Sequence, residues 1–438
     1  MVAVLAIADT DSYLKWSVTT LAAMPVDWQK TQVVISNPVA PSVSQMRAAG
    51  RGLVAVLSAA EIRQQIIVTR PDVVLLACTG PVVAELVAQR QLRSAQRPVL
   101  VTGLPGLSIP ATRRAVFSRS GCDLFLLHSH REIADFTAVA ADLGVGVAFG
   151  LATLPFMNVR DRPPSIPART ASDAAPSVVF AAQAKVPSDR AQREQILMAL
   201  ADHGSAVVKL RALPGQQQTH FEAWPYPALW DDLLERGRVR AGAVRFVDGA
   251  MSDALGSASA LVTVSSTAAL EAMAVGIEVM IISDFGISVD MINLVFEDSG
   301  CLGTLDDLRR SHFPRANPVW LRDNYFHAPA ENTWLAQLEH LLRLRSSGSL
   351  PVQLQLKRTW RARAWQRTRL LIPARLRPSL HRLLREVAPG RRSPYHRARA
   401  PRHDPPAGST STGQSPAPQD AHRPLRSANP PNASVQDH

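Results

Sequence analysis

The chain of 438 residues is 46% hydrophobic and 19% charged, which allows sizeable buried cores and excludes a disordered chain, a collagen or a disulfide-stapled mini-protein. Its length suggests two or three domains. The formal charge of +12 is unevenly placed: from Leu341 onward nineteen Lys and Arg face four acidic residues, leaving 29 basic and 32 acidic side chains for the body, so the basic character belongs to the C-terminal segment and says nothing about the fold.

Met1–Ala8 is apolar, lacks a basic leader and stops at Asp9, so it reads as a buried first strand and not as a secretory signal. Ser12–Met24 is helix-like, with Asp11 or Ser12 as a candidate cap. Gln32–Ser36, Asp72–Ala77, Pro98–Thr102 and Cys122–Leu127 are further strand-like runs, and Pro81–Gln91 and Arg131–Leu143 read as helices. Short apolar strands alternating with helices imply a parallel sheet covered on both faces. Residues 161–177 are rich in proline and poor in large apolar side chains, as an interdomain linker is.

The alternation then restarts. Val178–Ala182, Ala206–Leu210, Val244–Val247, Leu261–Val264 and Val279–Ser283 read as strands. Ser188–Asp202, with Ser188 as cap, Asp253–Ser259 and Thr267–Val275 read as helices. Glu331–Arg345 and Gln353–Val387 are helical in pattern, and the proline-rich end cannot offset its chain entropy by burial. The expected fold class is therefore α/β. Two Rossmann-like domains (1–160 and 177–330) face a cleft and are joined by a linker at 161–176. C-terminal helices follow at 331–390, then a disordered basic tail at 391–438.

Cys78, Cys122 and Cys301 are widely spaced and show neither metal-ligand spacing nor a disulfide framework. A reducing, cytoplasmic setting is expected. The longest apolar runs fall far short of the roughly 20 residues that cross a bilayer.

The most informative stretch runs from Leu261 to Gly276. A strand ends in Ser265, Ser266 and Thr267, a helix opens there, and Gly276 stops it before the next strand. Hydroxyls at a helix start suit a phosphate, although Ser266 or Thr267 can equally be a plain cap. Lys209 and Arg211 alternate to one side at the end of a strand, where cations can meet a diphosphate; solvated surface charges are the other reading. Lys185 and His220 are weaker candidates at the same edge.

Asp9 and Asp11 follow the first strand, where ligands of open α/β sheets bind. Either carboxylate could take the proton of an acceptor hydroxyl, or Asp11 caps the helix, pairs with Lys15, and Asp9 is structural. His128 and His130 form an acceptor-facing polar edge or are ordinary histidines, with no third metal ligand in view. Gly103 and Gly106 allow close backbone approach or simply make a tight turn. Asp284 precedes Gly286 in the loop after the last clear strand, which reads as a turn with a glycine exit.

The run from Ser265 to Ile277, with Glu271 one turn into the helix, resembles the nucleotide-sugar-binding half of GT-B glycosyltransferases. Three segments, from Ala6 to Trp16, from Lys209 to Gly215 and from 261 to 286, are similar to a family of actinobacterial glycosyltransferases. The resemblance covers about residues 1–330. It implies a GT-B-like fold, a nucleotide-sugar co-substrate and no other cofactor, with Glu271 and Asp284 joining Lys209, Arg211, Ser265, Ser266 and Thr267 on the donor side. Within 261–286 there is no Glu-x7-Glu pair of the retaining type.

The expected function is metal-independent transfer of a sugar from a nucleotide-sugar to an envelope or lipid-linked glycan acceptor. A nucleotide-sugar epimerase or glycerophosphate-type transferase is the enzyme alternative, and a non-catalytic polyanion-binding protein the alternative of another class. The basic segment 357–399, with Trp360 and Trp365, is expected to meet an anionic membrane surface, placing a cytoplasmic enzyme peripherally on the inner face. Specific nucleic-acid binding is not expected.

Overall fold

The structure, a computed structural model, describes residues 1–37, 39–49, 54–94, 96–157, 177–210 and 222–356. The linker 161–176, Arg211, His220 and everything from Lys357 onward lie outside the described residues.

Two separate parallel sheets form. The first holds β1 (Ala3–Ala8), β2 (Gln29–Ile35), β3 (Ala55–Leu57), β4 (Val73–Ala77), β5 (Val99–Gly103), β6 (Leu124–Leu127) and β7 (Ala148–Leu151), in the order β3-β2-β1-β4-β5-β6-β7. The second holds β8 (Ser177–Ala181), β9 (Ala206–Lys209), β10 (Val244–Val247), β11 (Ala258–Thr263), β12 (Glu278–Ile282) and β13 (Leu302–Gly303), in the order β10-β9-β8-β11-β12-β13. Every residue of β4 and β5 is buried, as strands covered on both faces must be. In each sheet the strand order reverses once, between β1 and β4 and between β8 and β11. Ligands of such sheets bind outside the carboxyl ends of the strands at these reversals.

The helices cover the faces. Helix Asp11–Ala22 buries Leu14, Trp16 and Leu21. Helix Ala59–Thr69 opens on a capping box made by Ser58 and Glu61. Helix Arg190–His203 is capped by Asp189, which accepts from the Gln192 amide at 3.0 Å, and not by Ser188 as expected. It stops at Gly204, whose φ of +82° suits glycine.

After the second sheet the chain crosses back. Helix Trp334–Ser346 sets Trp334, Leu338 and Leu341 into the core of the first lobe. Its approach needs Gly150 of β7, where a Cβ would stand 2.8 Å from the Trp334 Cα. Residues Gln353 to Leu356, expected to begin a helix, are instead non-helical and lie along the first lobe. The Gln355 amide donates to the Ala84 carbonyl at 3.1 Å, and the Leu356 N–H to the Ser120 hydroxyl at 3.0 Å. These side-chain and backbone bonds to a neighbouring surface replace the internal ladder of a helix.

The lobes share a core. Ile109 and Leu154 of the first lobe pack in one cluster with Ala268, Ala269, Phe296, Trp320 and Tyr325 of the second. Within it the Tyr325 hydroxyl donates to the fully buried Glu132 carboxylate at 2.7 Å. Among the described residues no helix is long and apolar enough to cross a membrane.

Candidate functional site

On the second lobe the turn after β11 is held from several sides. Thr263 Oγ1 donates to the Ala181 carbonyl at 3.0 Å and accepts from the Ser266 amide at 3.3 Å. Gln183, just past β8, grips the Ser265 backbone twice: its Oε1 accepts from the Ser265 N–H at 2.8 Å and its Nε2 donates to the Ser265 carbonyl at 3.0 Å.

The three hydroxyls divide their work. Ser265 Oγ donates to the Ile292 carbonyl, so its one hydrogen is already in use. Ser266 Oγ accepts from the Ala268 N–H at 3.2 Å and acts as a local cap. Thr267 is part-exposed, and no hydrogen bond of its hydroxyl occurs among the described residues. Helix Ala268–Ala274 follows and ends at Gly276, with φ +74°.

Lys209 ends β9 at the same edge. It is 6% exposed, and its ammonium donates to the Leu210 carbonyl at 2.6 Å. Glu271, one turn into the helix, is pushed up by burial and held down by the charges of Lys209 and of Lys15 from the other lobe. Asp284 is exposed and accepts from the Leu305 N–H at 2.9 Å, fixing the turn that Gly286 completes at φ +86°. Beside Gln183 lies a cavity of about 200 Å³ lined by Lys185, Ser188, Arg193 and Trp224, with Ala184 and Ala223.

On the first lobe the two aspartates part company. Asp9 Oδ2 accepts from the Thr79 N–H at 2.8 Å and the Thr79 hydroxyl at 2.6 Å, tying the end of β1 to the end of β4. The residue is 1% exposed, and Oδ1 is buried without a partner among the described residues. Burial raises its pKa from 3.8 to about 6, against the Thr79 bonds and the Arg119 charge. A folded-state pKa above the unfolded value means that the native state keeps a proton the unfolded chain has lost. The contribution to stability is therefore fullest below pH 4 and falls as pH rises through 6. Asp9→Asn should gain on the parent by roughly 2 kcal/mol between pH 4 and pH 7. Urea unfolding at both pH values measures this, and a gap that does not widen would contradict it.

Asp11 is the first residue of its helix; Thr10 takes the N-cap position, without a side-chain bond. The expected pair with Lys15 is present, Nζ to Oδ2 at 2.9 Å. Asp11 is partly exposed, yet its Oδ1 is buried without a partner among the described residues.

His128 lies inside the protein. Its Nε2 is 2.9 Å from the Trp16 indole nitrogen, and its Nδ1 is 2.8 Å from the Ala152 carbonyl. An indole N–H can only donate, so Nε2 accepts and Nδ1–H donates. Burial lowers the pKa to about 4. Both ring nitrogens face protein atoms, so the imidazole braces the lobe in place of facing an acceptor. His130 is exposed, 3.0 Å from Glu331, with its ring against His327, where the chain crosses between lobes. Gly103 serves packing: a Cβ there would stand 2.2 Å from the Trp16 ring. Gly103→Ala should cost about 1–3 kcal/mol by overpacking, read as a lowered urea midpoint; an unchanged midpoint would contradict this. Gly106, by contrast, faces the other lobe, its Cβ position 3.5 Å from Thr267 Cγ2.

Gly106 of the first lobe thus meets Thr267 of the second, and the charge of Lys15 acts on Glu271. Sequence reading missed Gln183 as a brace and Glu132 as the lobe clasp. Ser129-x-x-Glu132 was visible as a capping pattern, and Ser129 does accept from the Glu132 N–H at 3.0 Å. The Tyr325 partner, 193 residues away, carries no local signal. Among the described residues no three His, Cys, Asp or Glu side chains assemble into a metal-binding group.

Known proteins resemble this arrangement in fold. A structure titled "putative UDP-N-acetylglucosamine 2-epimerase" from Listeria monocytogenes is 12% identical and covers 81% of this chain and 99% of its own, with a TM-score of 0.50. The complex of S. aureus MnaA with UDP is 11% identical and covers 81% of this chain and 100% of its own, also at 0.50. At such identities the likeness speaks for the fold, two parallel-sheet lobes of GT-B type. No curated protein matches the sequence. The model of the family described as "Putative glycosyltransferase (DUF6716)" matches residues 4–341, and the chain belongs to this glycosyltransferase family.

Proposed function

We propose that the enzyme transfers a sugar from a nucleotide-sugar donor to a hydroxyl of an envelope or lipid-linked glycan, without a metal ion. One observation supports the reading: Asp11 and Lys15 follow the carboxyl end of β1, Lys209 and Thr267 stand at those of β9 and β11, and Thr267 Cγ2 lies 3.5 Å from the Cβ position of Gly106 in the other lobe.

The donor diphosphate lies against Thr267 and Lys209, joined by Arg211 of the undescribed stretch, while Ser265 and Ser266 shape the turn. Glu271 and Asp284 accept from donor hydroxyls. The acceptor oxygen attacks the anomeric carbon and its proton passes to Asp11. The bond from that carbon to the diphosphate oxygen breaks, and the nucleoside diphosphate leaves with the electron pair. Lys209 stabilises the charge that grows there, the task a metal would otherwise perform, so EDTA should leave turnover unchanged. Asp9 holds the end of β1 in place beneath Asp11. The basic segment 357–399 brings the enzyme to anionic lipid, an attraction that salt weakens over about 8 Å at physiological ionic strength.

Calorimetric titration with nucleoside diphosphates tests the donor site. Lys209→Met should weaken binding by about 1.5–3 kcal/mol, the weight of a hydrogen bond to a charged group. Thr267→Val should weaken it less, by about 1 kcal/mol. Unchanged affinity in both variants would place the phosphates elsewhere.

A further inference from the structure

We propose that Lys15 is a shared cation. It rests on Asp11 until a donor arrives and then moves to the donor phosphates, which frees Asp11 to take the acceptor proton. This deepens the nucleotide-sugar reading above and rests on it.

The geometry begins with two helices. Helix Asp11–Ala22 and helix Ala268–Ala274 both contact the turn Pro155–Met157. Gly106 against Thr267, and Ile109 and Leu154 in the shared core, hold the lobes together at that point. Trp16, next to Lys15, packs on Gly103, three residues before Gly106, which brings the start of the one helix toward the start of the other. Lys15 stands there with a half-exposed side chain, its ammonium 2.9 Å from Asp11. The charges of Lys209 and Lys15 both act on Glu271.

Asp11, Lys15, Glu271 and Lys209 form a balanced set of two negative and two positive groups. A diphosphate entering this set adds negative charge and competes with the carboxylates for both ammonium groups. Lys209 is buried and tied to the Leu210 carbonyl. Lys15 has four flexible methylenes and freely rotating donors, so it can change partner without moving the backbone. The exposed i,i+4 pair it gives up is among the weakest of ion pairs, whereas a charged hydrogen bond to phosphate is among the strongest polar contacts. The exchange is thus downhill. It leaves Asp11 Oδ2, the oxygen Lys15 had held, open to an acceptor hydroxyl.

Calorimetry on the full-length chain tests this, with uridine, adenosine and guanosine diphosphates and inorganic pyrophosphate as probes. Lys15→Met should weaken the best probe roughly tenfold or more, and Lys15→Arg should restore most of the loss. Asp11→Asn removes the competing partner and should tighten binding about two- to fivefold, the worth of an exposed ion pair. That gain should vanish in the Lys15→Met background. Wild-type affinity in Lys15→Met, or equal tightening by Asp11→Asn in both backgrounds, would overturn the exchange. If Lys209→Met still weakens binding in that case, the donor site stands and this inference alone falls. If no probe binds the parent protein, both fall.

Discussion

Asp11→Asn should lower turnover about 100-fold or more, the usual contribution of a positioned general base, while donor affinity is not weakened. The substitution keeps the shape of the side chain and the first turn of the helix, and removes only the capacity to take a proton. Asp9→Asn should act mainly on the pH dependence of stability, because Asp9 is 1% exposed and spends one oxygen on Thr79. Initial rates and titrations on both variants separate the two roles. Full activity in Asp11→Asn with a collapse in Asp9→Asn would move the base to Asp9, whose pKa of about 6 would suit that task.

Arg193→Ala should cost about 3–5 kcal/mol of stability, the range for removing one partner of a buried ion pair. The guanidinium is 1% exposed and every one of its five N–H groups is used. Nε donates to the Pro187 carbonyl at 2.7 Å. Nη1 donates to Glu222 and, at 2.8 Å, to the Trp224 carbonyl. Nη2 donates to the Gln183 and Ala184 carbonyls, both at 2.9 Å. The plane also lies 4.7 Å over the Tyr226 ring. Removing it strands four carbonyls and a carboxylate and unties the loop after β8 from residues 222–224. Gln183, which grips Ser265, belongs to that loop, so nucleotide affinity should fall together with stability. Lysine cannot reproduce the fork, and Arg193→Lys should rescue little. Urea unfolding reads the loss, and a change below about 1 kcal/mol would show that the network is redundant.

The strands that run through the middle of each sheet were legible because they are unbroken apolar runs: β1, β4, β5 and β6, then β8, β11 and β12. Of the four edge strands only Val244–Val247 was. Ala55–Leu57 is three residues long and largely exposed, Ala148–Leu151 carries a glycine where a helix crosses, and Leu302–Gly303 is two residues. Helix Tyr226–Glu235 hid behind Pro225 and a further proline in its first turn, which read as a break although proline is accepted there.

At the site, the strand-end rule located Lys209 and the hydroxyl turn, and the i,i+4 spacing gave the Asp11–Lys15 pair. What stayed hidden depends on distance in space. Gly103 reads as a tight turn or a place of close backbone approach until Trp16 is seen against it, and His128 as a polar edge until Trp16 and Ala152 close on its nitrogens. Which of three adjacent hydroxyls is spent depends on Ile292, 27 residues on from Ser265. That carbonyl is presented by a β-branched residue at φ +59°, a conformation that no sequence rule assigns to isoleucine.

The central claim is that this cleft cleaves the bond between a sugar and a nucleoside diphosphate for transfer. Phosphorus NMR on the full-length enzyme incubated with a panel of nucleotide-sugars and a glycan acceptor tests it most directly. The prediction is that the diphosphate signals of one donor give way to those of free nucleoside diphosphate, in parent but not in Asp11→Asn protein. Phosphorus signals unchanged across the panel, or a nucleotide-sugar recovered intact with an inverted sugar carbon, would contradict it.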